Sequence, residues 1–235
     1  MILAFCISGE NPSLTPIKKM KKYFPLSLFL SKFLTNIFLE RNYFTPNSVT
    51  LLSFISGIIA CLLFLQGTYI LGIIGSLFLI HCFILDYVDG FIARKKNLKT
   101  KFGYYLDSLN DWLISCLFFV CLGIEVSKTQ NSNIFFWMGI AAGIGGTINF
   151  IRVMYFNQQS ISAKSRQRKH NKYSLWEKTL YFFREECKSD FCFIVLFLAL
   201  IDQLWILLPL GAIGSQIYWI TAHFNNITEY IRDQN

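Results

Sequence analysis

Four aspartates stand close together in the stretch DYVDGFIARKKNLKTKFGYYLDSLND, Asp86 to Asp111, with apolar sequence on either side of it. A charged side chain at the centre of a bilayer costs roughly 2.5–3.5 kcal/mol, so carboxylates kept in such a setting point to chemistry. Helical spacing sorts them onto two faces. Asp86, Asp89, Gly90 and Ala93 fall at i, i+3, i+4 and i+7, and Gly103, Asp107 and Asp111 at i, i+4 and i+8. If the chain reverses through the basic residues between them, Asp86 and Asp111 each lie about 12 Å in from the ends of their helices, at 1.5 Å per residue. Four carboxylates at one level repel one another unless cations intervene. Oxygen-only ligands suit Mg²⁺ or Mn²⁺, and two such ions can be shared by four aspartates. Two-ion sites serve phosphoryl transfer, which makes a diphosphate-bearing substrate the natural partner. Gly90, Ala93 and Gly103 have almost no side chain and let a ligand press against both helices, while Arg94 offers a planar fork to phosphate.

The elements that must hold these residues are helices in a membrane. Hydrophobic residues make up 54% of the 235-residue chain and aromatics 17%, with a mean hydropathy of +0.43. Those values predict an all-α polytopic membrane protein. Thr45 is a suitable N-cap and Pro46 a first-turn proline, so a first span runs from there to about Leu65. Further spans are expected over 69–93, 102–125, 135–155, 187–201 and 205–224, six in all. Before them, residues 16–44 begin with lysines and carry a stripe of Ser27, Ser31 and Thr35, beside Lys32, Asn36 and Glu40, opposite Leu28, Phe29, Phe33, Leu34 and Phe38. That pattern reads as an amphipathic helix lying in the interface, with its lysines toward anionic headgroups. The chain thus divides into an N-terminal extension with the interfacial helix, 1–45, and a six-helix transmembrane domain, 46–230.

Lys and Arg number 22 against 14 acids, a net charge of +8. A basic balance of this kind can mark nucleic-acid binding, but here the bases sit in the N-terminal arm, at 94–101 and at 156–188, between apolar runs. That is the positive-inside pattern of an integral membrane protein with both ends and the aspartate site on the cytoplasmic face, the inner membrane if the source is bacterial. Nucleic acid is not expected as a partner, although basic and aromatic residues interleave in 156–188. The seven cysteines form no CxxC pair and lie mostly in apolar runs, as reduced, buried side chains do. His81, His170 and His223 have no zinc-site spacing. In GIAAGIGGTINF, Gly139 with Gly143 and Ala142 with Gly146 recur at i,i+4, which allows close helix packing in lipid; no Lys-Ser/Thr follows to make a phosphate loop.

Residues Asp86 to Asp111 spell D-x2-D-G-x2-A-R-x8-G-x3-D-x3-D, which resembles the motif of the CDP-alcohol phosphatidyltransferases at every fixed position. The six-span layout, the preceding interfacial helix and the TPNSVT opening resemble that family too, over about residues 20–230. The resemblance implies transfer of a phosphatidyl group from CDP-diacylglycerol to the hydroxyl of a small polar alcohol, with release of CMP, in phospholipid biosynthesis. It implies that Asp86, Asp89 and Asp107 hold the metal pair, that Asp111 contacts a metal and acts as general base, and that Gly90, Ala93, Arg94 and Gly103 line the cytidine and diphosphate site. It also implies a homodimer. The acceptor stays open among glycerol 3-phosphate, inositol or its phosphate, serine and similar alcohols. The lack of an Arg after TPNSVTLLSF distances the chain from phosphatidylglycerophosphate synthases, and the x8 gap from phosphatidylcholine synthases. Arg152, with Lys164, Arg166 or Arg168, is the candidate for binding an acceptor phosphate.

Two other functions also use intramembrane carboxylates. Prenyltransferases bind Mg²⁺-diphosphate through two widely separated aspartate motifs, whereas here both pairs flank one loop. A divalent-cation transporter would need neither Ala93, Arg94 nor Gly103 in register with the aspartates.

Overall fold

The computed structural model describes residues 30, 31, 33–35, 45–98, 100–162 and 191–234, and all regular structure among them is helical. The helices are α1 (Pro46–Phe64), α2 (Tyr69–Lys95), α3 (Lys101–Thr129), α4 (Asn133–Ser162), α5 (Phe191–Leu200) and, after a single 3-10 turn at Leu204–Ile206, α6 (Leu207–Gln234). The four expected spans from Thr45 to Tyr155 appear as α1 to α4, with α2 to α4 running a few residues past the expected ends. Pro46–Phe64, Tyr69–Lys95, Lys101–Thr129 and Asn133–Arg152 are long and apolar enough to cross a membrane. Phe191–Leu200 and Leu204–Ile220 are shorter apolar helices. Residues 1–29, 36–44 and 163–190 lie outside the described residues, and with them most of the stretch expected to form an interfacial helix, and Lys164, Arg166 and Arg168.

Local chemistry sets the helix ends. Thr45 caps α1 by accepting the Ser48 N–H at 3.3 Å, ahead of Pro46 in the first turn. Thr68 and Thr100 do the same for α2 and α3, accepting from Leu71 and Gly103. Gly67, at φ +69°, makes the left-handed step between α1 and α2 that side chains resist. Asn97, Asn131 and Asp202 also adopt positive φ, each just past a helix. At each of the three the next N–H returns to the last helical turn, as Leu98 does to the Ala93 carbonyl at 3.0 Å. The first of these closures turns the chain between the two aspartate helices.

α1 packs along both α2 and α3, α3 packs on α4, and α4 on α6. By contrast, α2 and α3 stand apart, with few close backbone approaches between them. α1 is the wedge that sets their separation. α5 runs antiparallel to α2: the Tyr69 hydroxyl donates to the Leu200 carbonyl at 2.9 Å, and Phe83 meets Phe191 at 6.5 Å between ring centroids. The larger core centres on Phe64, Phe118, Phe119 and Phe191, with edge-to-face contacts at 5.1 to 5.7 Å. Gly139 lets α4 reach α3, since a Cβ there would sit 2.5 Å from the Phe119 carbonyl oxygen and 3.2 Å from the Gly123 Cα. Small residues in that run therefore serve packing, as their spacing implies.

A second core, Val49, Ile84, Leu85, Val88 and Ile92, interleaves along α2 with Asp86 and Asp89 and is covered by Leu30 and Leu34. Of the expected outward polar stripe, Ser31 and Thr35 are described, and both are buried while Phe33 is exposed. The inversion costs little because the Thr35 hydroxyl donates to the Ser31 carbonyl at 2.6 Å and needs no water.

Candidate active site

Asp86 and Asp89 project from α2, and Asp107 from α3, into the space that α1 keeps open between those helices. One carboxylate oxygen from each lies within 4.8 Å of those of the other two. Asp111, one turn further along α3, stands outside this trio and lines a small cavity with Asp86, Cys82, Phe83, Asn110, Ile114 and Ser115. Of the four carboxylates expected to converge, three meet here, Asp86 and Asp89 from one helical face and Asp107 from the other. Asp89 is almost fully buried, at 5% exposure, and accepts a hydrogen bond from the Thr50 hydroxyl of α1. Asp86 Oδ1 is buried with no hydrogen-bond partner among the described residues. A buried carboxylate oxygen left unsatisfied among other carboxylates is costly by itself and fits a cation. The donor set, all hard oxygen, matches Mg²⁺ or Mn²⁺.

Gly90 and Arg94 act together at the mouth of the site. A Cβ on Gly90 would stand 3.6 Å from both terminal nitrogens of Arg94, whose guanidinium lies 4.8 Å over the Phe91 ring. The exposed guanidinium is thereby laid back along its own helix, with its donors turned over the glycine. Ala93 is half-buried. At Gly103 a Cβ would meet Thr100 Oγ1 at 3.1 Å and Asn47 Oδ1 at 3.5 Å, so the start of α1 closes this side.

Arg152 on α4 belongs to a different cluster. Its Nη2 donates to Asn149 Oδ1 at 2.8 Å, Tyr218 of α6 stands beside it, and its Nε is buried without a hydrogen-bond partner among the described residues. The link back to α3 is Trp112, next to Asp111, which donates to Thr147 Oγ1 at 3.1 Å and stacks on Phe150 at 4.9 Å. The five described cysteines, Cys61, Cys82, Cys116, Cys121 and Cys192, are free thiols, as their placement in apolar runs implies.

Sequence reasoning missed the contribution of α1. It read TPNSVT as a helix start, yet Asn47, Thr50 and Ser53 form an i, i+3, i+6 line that faces the site. Polar residues at that period in a span were the available signal. The Pro46 carbonyl oxygen lies 3.1 Å from the same Thr50 hydroxyl, so its single proton is shared between backbone and Asp89. Thr50→Val keeps the shape and removes the donor. It is expected to weaken Mn²⁺ binding about 10–100-fold, read by titration with electron paramagnetic resonance; unchanged affinity would show that Asp89 needs no such support.

Comparison with known proteins bears on these residues. A family model described as CDP-alcohol phosphatidyltransferase matches residues 43–224. A protein of Thermococcus kodakarensis named bifunctional IPC transferase and DIPP synthase is 32% identical over 104 residues, covering 44% of this chain and 22% of that protein. One of Rickettsia bellii named CDP-diacylglycerol-glycerol-3-phosphate 3-phosphatidyltransferase is 33% identical over 78 residues, 33% of this chain and 43% of its own. An uncharacterized protein of Aquifex aeolicus is 35% identical over 96 residues, 40% of this chain and 46% of its own. The chain therefore covers less than half the length of each of these relatives.

Proposed function

The chain belongs to the CDP-alcohol phosphatidyltransferase family, and from that premise we propose that it transfers the phosphatidyl group of CDP-diacylglycerol to a small polar alcohol, releasing CMP. Four helices of spanning length, together with the family, make it an integral membrane protein. The observation that carries the proposal is the meeting of Asp86, Asp89 and Asp107, all members of the motif, around a buried Asp86 oxygen that lacks a partner.

Asp86, Asp89, Asp107 and Asp111 would hold Mg²⁺ or Mn²⁺ as a pair of ions, which when bound would offset negative charge on the diphosphate. Gly90, Ala93 and Gly103 leave room for the cytidine and diphosphate, and Arg94 directs its fork at a phosphate oxygen. Thr50 holds Asp89 in place. Asp111 takes the proton of the acceptor hydroxyl on a carboxylate oxygen. The acceptor oxygen then forms its bond to the phosphorus that carries diacylglycerol, the phosphoanhydride bond breaks, and the bridging oxygen leaves with CMP. In-line geometry comes from fixing both reactants between two helices that α1 holds apart.

The six apolar segments cross the bilayer with the basic residues at 94–101 on the cytoplasmic side, as their charge supports. That places the site, about 12 Å inside the helix ends, at the depth where the lipid's tails and nucleotide part. The domain spans 46–230 and works as a homodimer, following the family. Arg152 binds a phosphate or other anionic group of the acceptor, a role supported by its half-buried guanidinium and unpartnered Nε. Arg152→Ala should raise the acceptor KM about tenfold or more and leave that for CDP-diacylglycerol unchanged. An unaltered acceptor KM would remove Arg152 from the site.

The decisive experiment incubates purified protein with labelled CDP-diacylglycerol, Mg²⁺ or Mn²⁺ and a panel of alcohols. CMP release coupled to a new lipid is expected. Metal binding without CMP release would favour a transporter, and cleavage of an isoprenoid diphosphate instead would favour a prenyltransferase.

A further inference from the structure

Asn110 precedes Asp111 on α3 at a position the family motif leaves unspecified, and it is 5% exposed. Its Nδ2 donates to Ser53 Oγ of α1 at 3.3 Å. Ser53, itself fully buried, donates to the Cys82 carbonyl of α2 at 2.9 Å. Ser53 Oγ also lies 3.4 Å from the Cys82 thiol; with its proton turned to Cys82, Ser53 Oγ accepts from Asn110, so the amide nitrogen faces Ser53 and the amide oxygen faces the other way. That oxygen is buried and has no hydrogen-bond partner among the described residues. Asn110 lines the same small cavity as Asp86 and Asp111, with Phe83 and Ile114 on the apolar side. The cavity has room for one group the size of a water or hydroxyl.

An oriented, buried acceptor is expensive to leave unpaired, so a water or a ligand hydroxyl must supply the donor, and a substrate hydroxyl that displaces the water inherits its place. We propose that Asn110 Oδ1 is a specificity-determining group that receives a second hydroxyl of the acceptor alcohol, the neighbour of the hydroxyl whose proton goes to Asp111. The inference rests on the phosphatidyl-transfer reading above and names its substrate class: a polyol with vicinal hydroxyls, in place of a simple alcohol. Asp86 and Asp111 line the same cavity, but once they are engaged by the metal pair a hydroxyl fits better than an ammonium, because the one neutral amide oxygen beside Phe83 and Ile114 cannot replace the three hydration partners an ammonium loses. Ser53 is a positioning residue, since it acts through the amide it orients.

The test measures CMP release with glycerol 3-phosphate and with 3-hydroxypropyl phosphate, which lacks only the secondary hydroxyl, and likewise with myo-inositol 1-phosphate and its analogue deoxygenated next to the reacting hydroxyl. The wild-type protein should favour the vicinal diol of at least one pair by about tenfold or more in kcat/KM. Asn110→Leu should bring that ratio to within about twofold, mainly by raising the diol KM, with the KM for CDP-diacylglycerol unchanged. Ser53→Ala should move the ratio the same way by a smaller factor, and it keeps the test available if Asn110→Leu does not fold. Mn²⁺ affinity, read by electron paramagnetic resonance, should be the same in all three proteins. Equal use of diol and deoxy analogue by the wild type would overturn the inference, as would a preference that survives in both variants. Best turnover with an amino alcohol such as serine would overturn it too, and so would a tenfold loss of Mn²⁺ affinity in Asn110→Leu, which would make the amide a metal ligand. CMP release from none of the alcohols would instead overturn the phosphatidyl-transfer reading and take this inference with it.

Discussion

Asp111→Asn should yield a protein that still binds Mn²⁺ and CDP-diacylglycerol but releases CMP about 10²–10⁴-fold more slowly. The amide has nearly the shape of the carboxylate and cannot take up a proton from the acceptor. The geometry gives the substitution its selectivity. Asp111 lies outside the trio of Asp86, Asp89 and Asp107, so three carboxylates remain to hold a cation, and Mn²⁺ affinity should fall only in part. The loss should therefore appear in kcat, with the KM for CDP-diacylglycerol within about threefold of wild type. Turnover within tenfold of wild type would exclude Asp111 as the base. Complete loss of Mn²⁺ binding would assign it first to the metal.

Asp86→Asn should be the most damaging change at the metal site, lowering kcat/KM by more than about 10³ and abolishing the rise in Tm that Mn²⁺ produces. Asp86 belongs both to the carboxylate trio and to the cavity it shares with Asp111, and its Oδ1 has no hydrogen-bond partner among the described residues. A ligand that binds only the folded state stabilises it by about 2.7 kcal/mol at a hundredfold excess over Kd. The metal-dependent shift should thus be measurable in the wild type and absent in the variant. Without metal the variant should unfold no earlier than the wild type, since one of several mutually repelling carboxylates is gone. A full Mn²⁺-dependent shift in Asp86→Asn would remove Asp86 from the metal site.

Much of the site could be read before any fold was known. The period of an α-helix places residues three, four, seven and eight apart on one face, whatever surrounds the helix, so Asp86 with Asp89 and Asp107 with Asp111 were bound to share faces. Thr45 as a cap follows from equally local chemistry, a side-chain oxygen accepting a nearby N–H. Some local signals went unread: Asn97, Asn131 and Asp202 each close a helix in the left-handed region, as Asn and Asp do when glycine is not used.

What the sequence determined by itself is the helical class, the shared faces of the aspartates and the motif that carries the chemistry, because each depends on spacing along one chain. The tertiary structure alone decided that α2 and α3, neighbours in sequence, are held apart by α1, and that Thr50 and Ser53 reach across to Asp89 and Asn110. It also turned Ser31 and Thr35 inward where their polarity pointed outward. Those outcomes depend on how three or more helices fit together, and a hydrogen bond between residues 39 or 57 positions apart leaves no periodic trace in either segment.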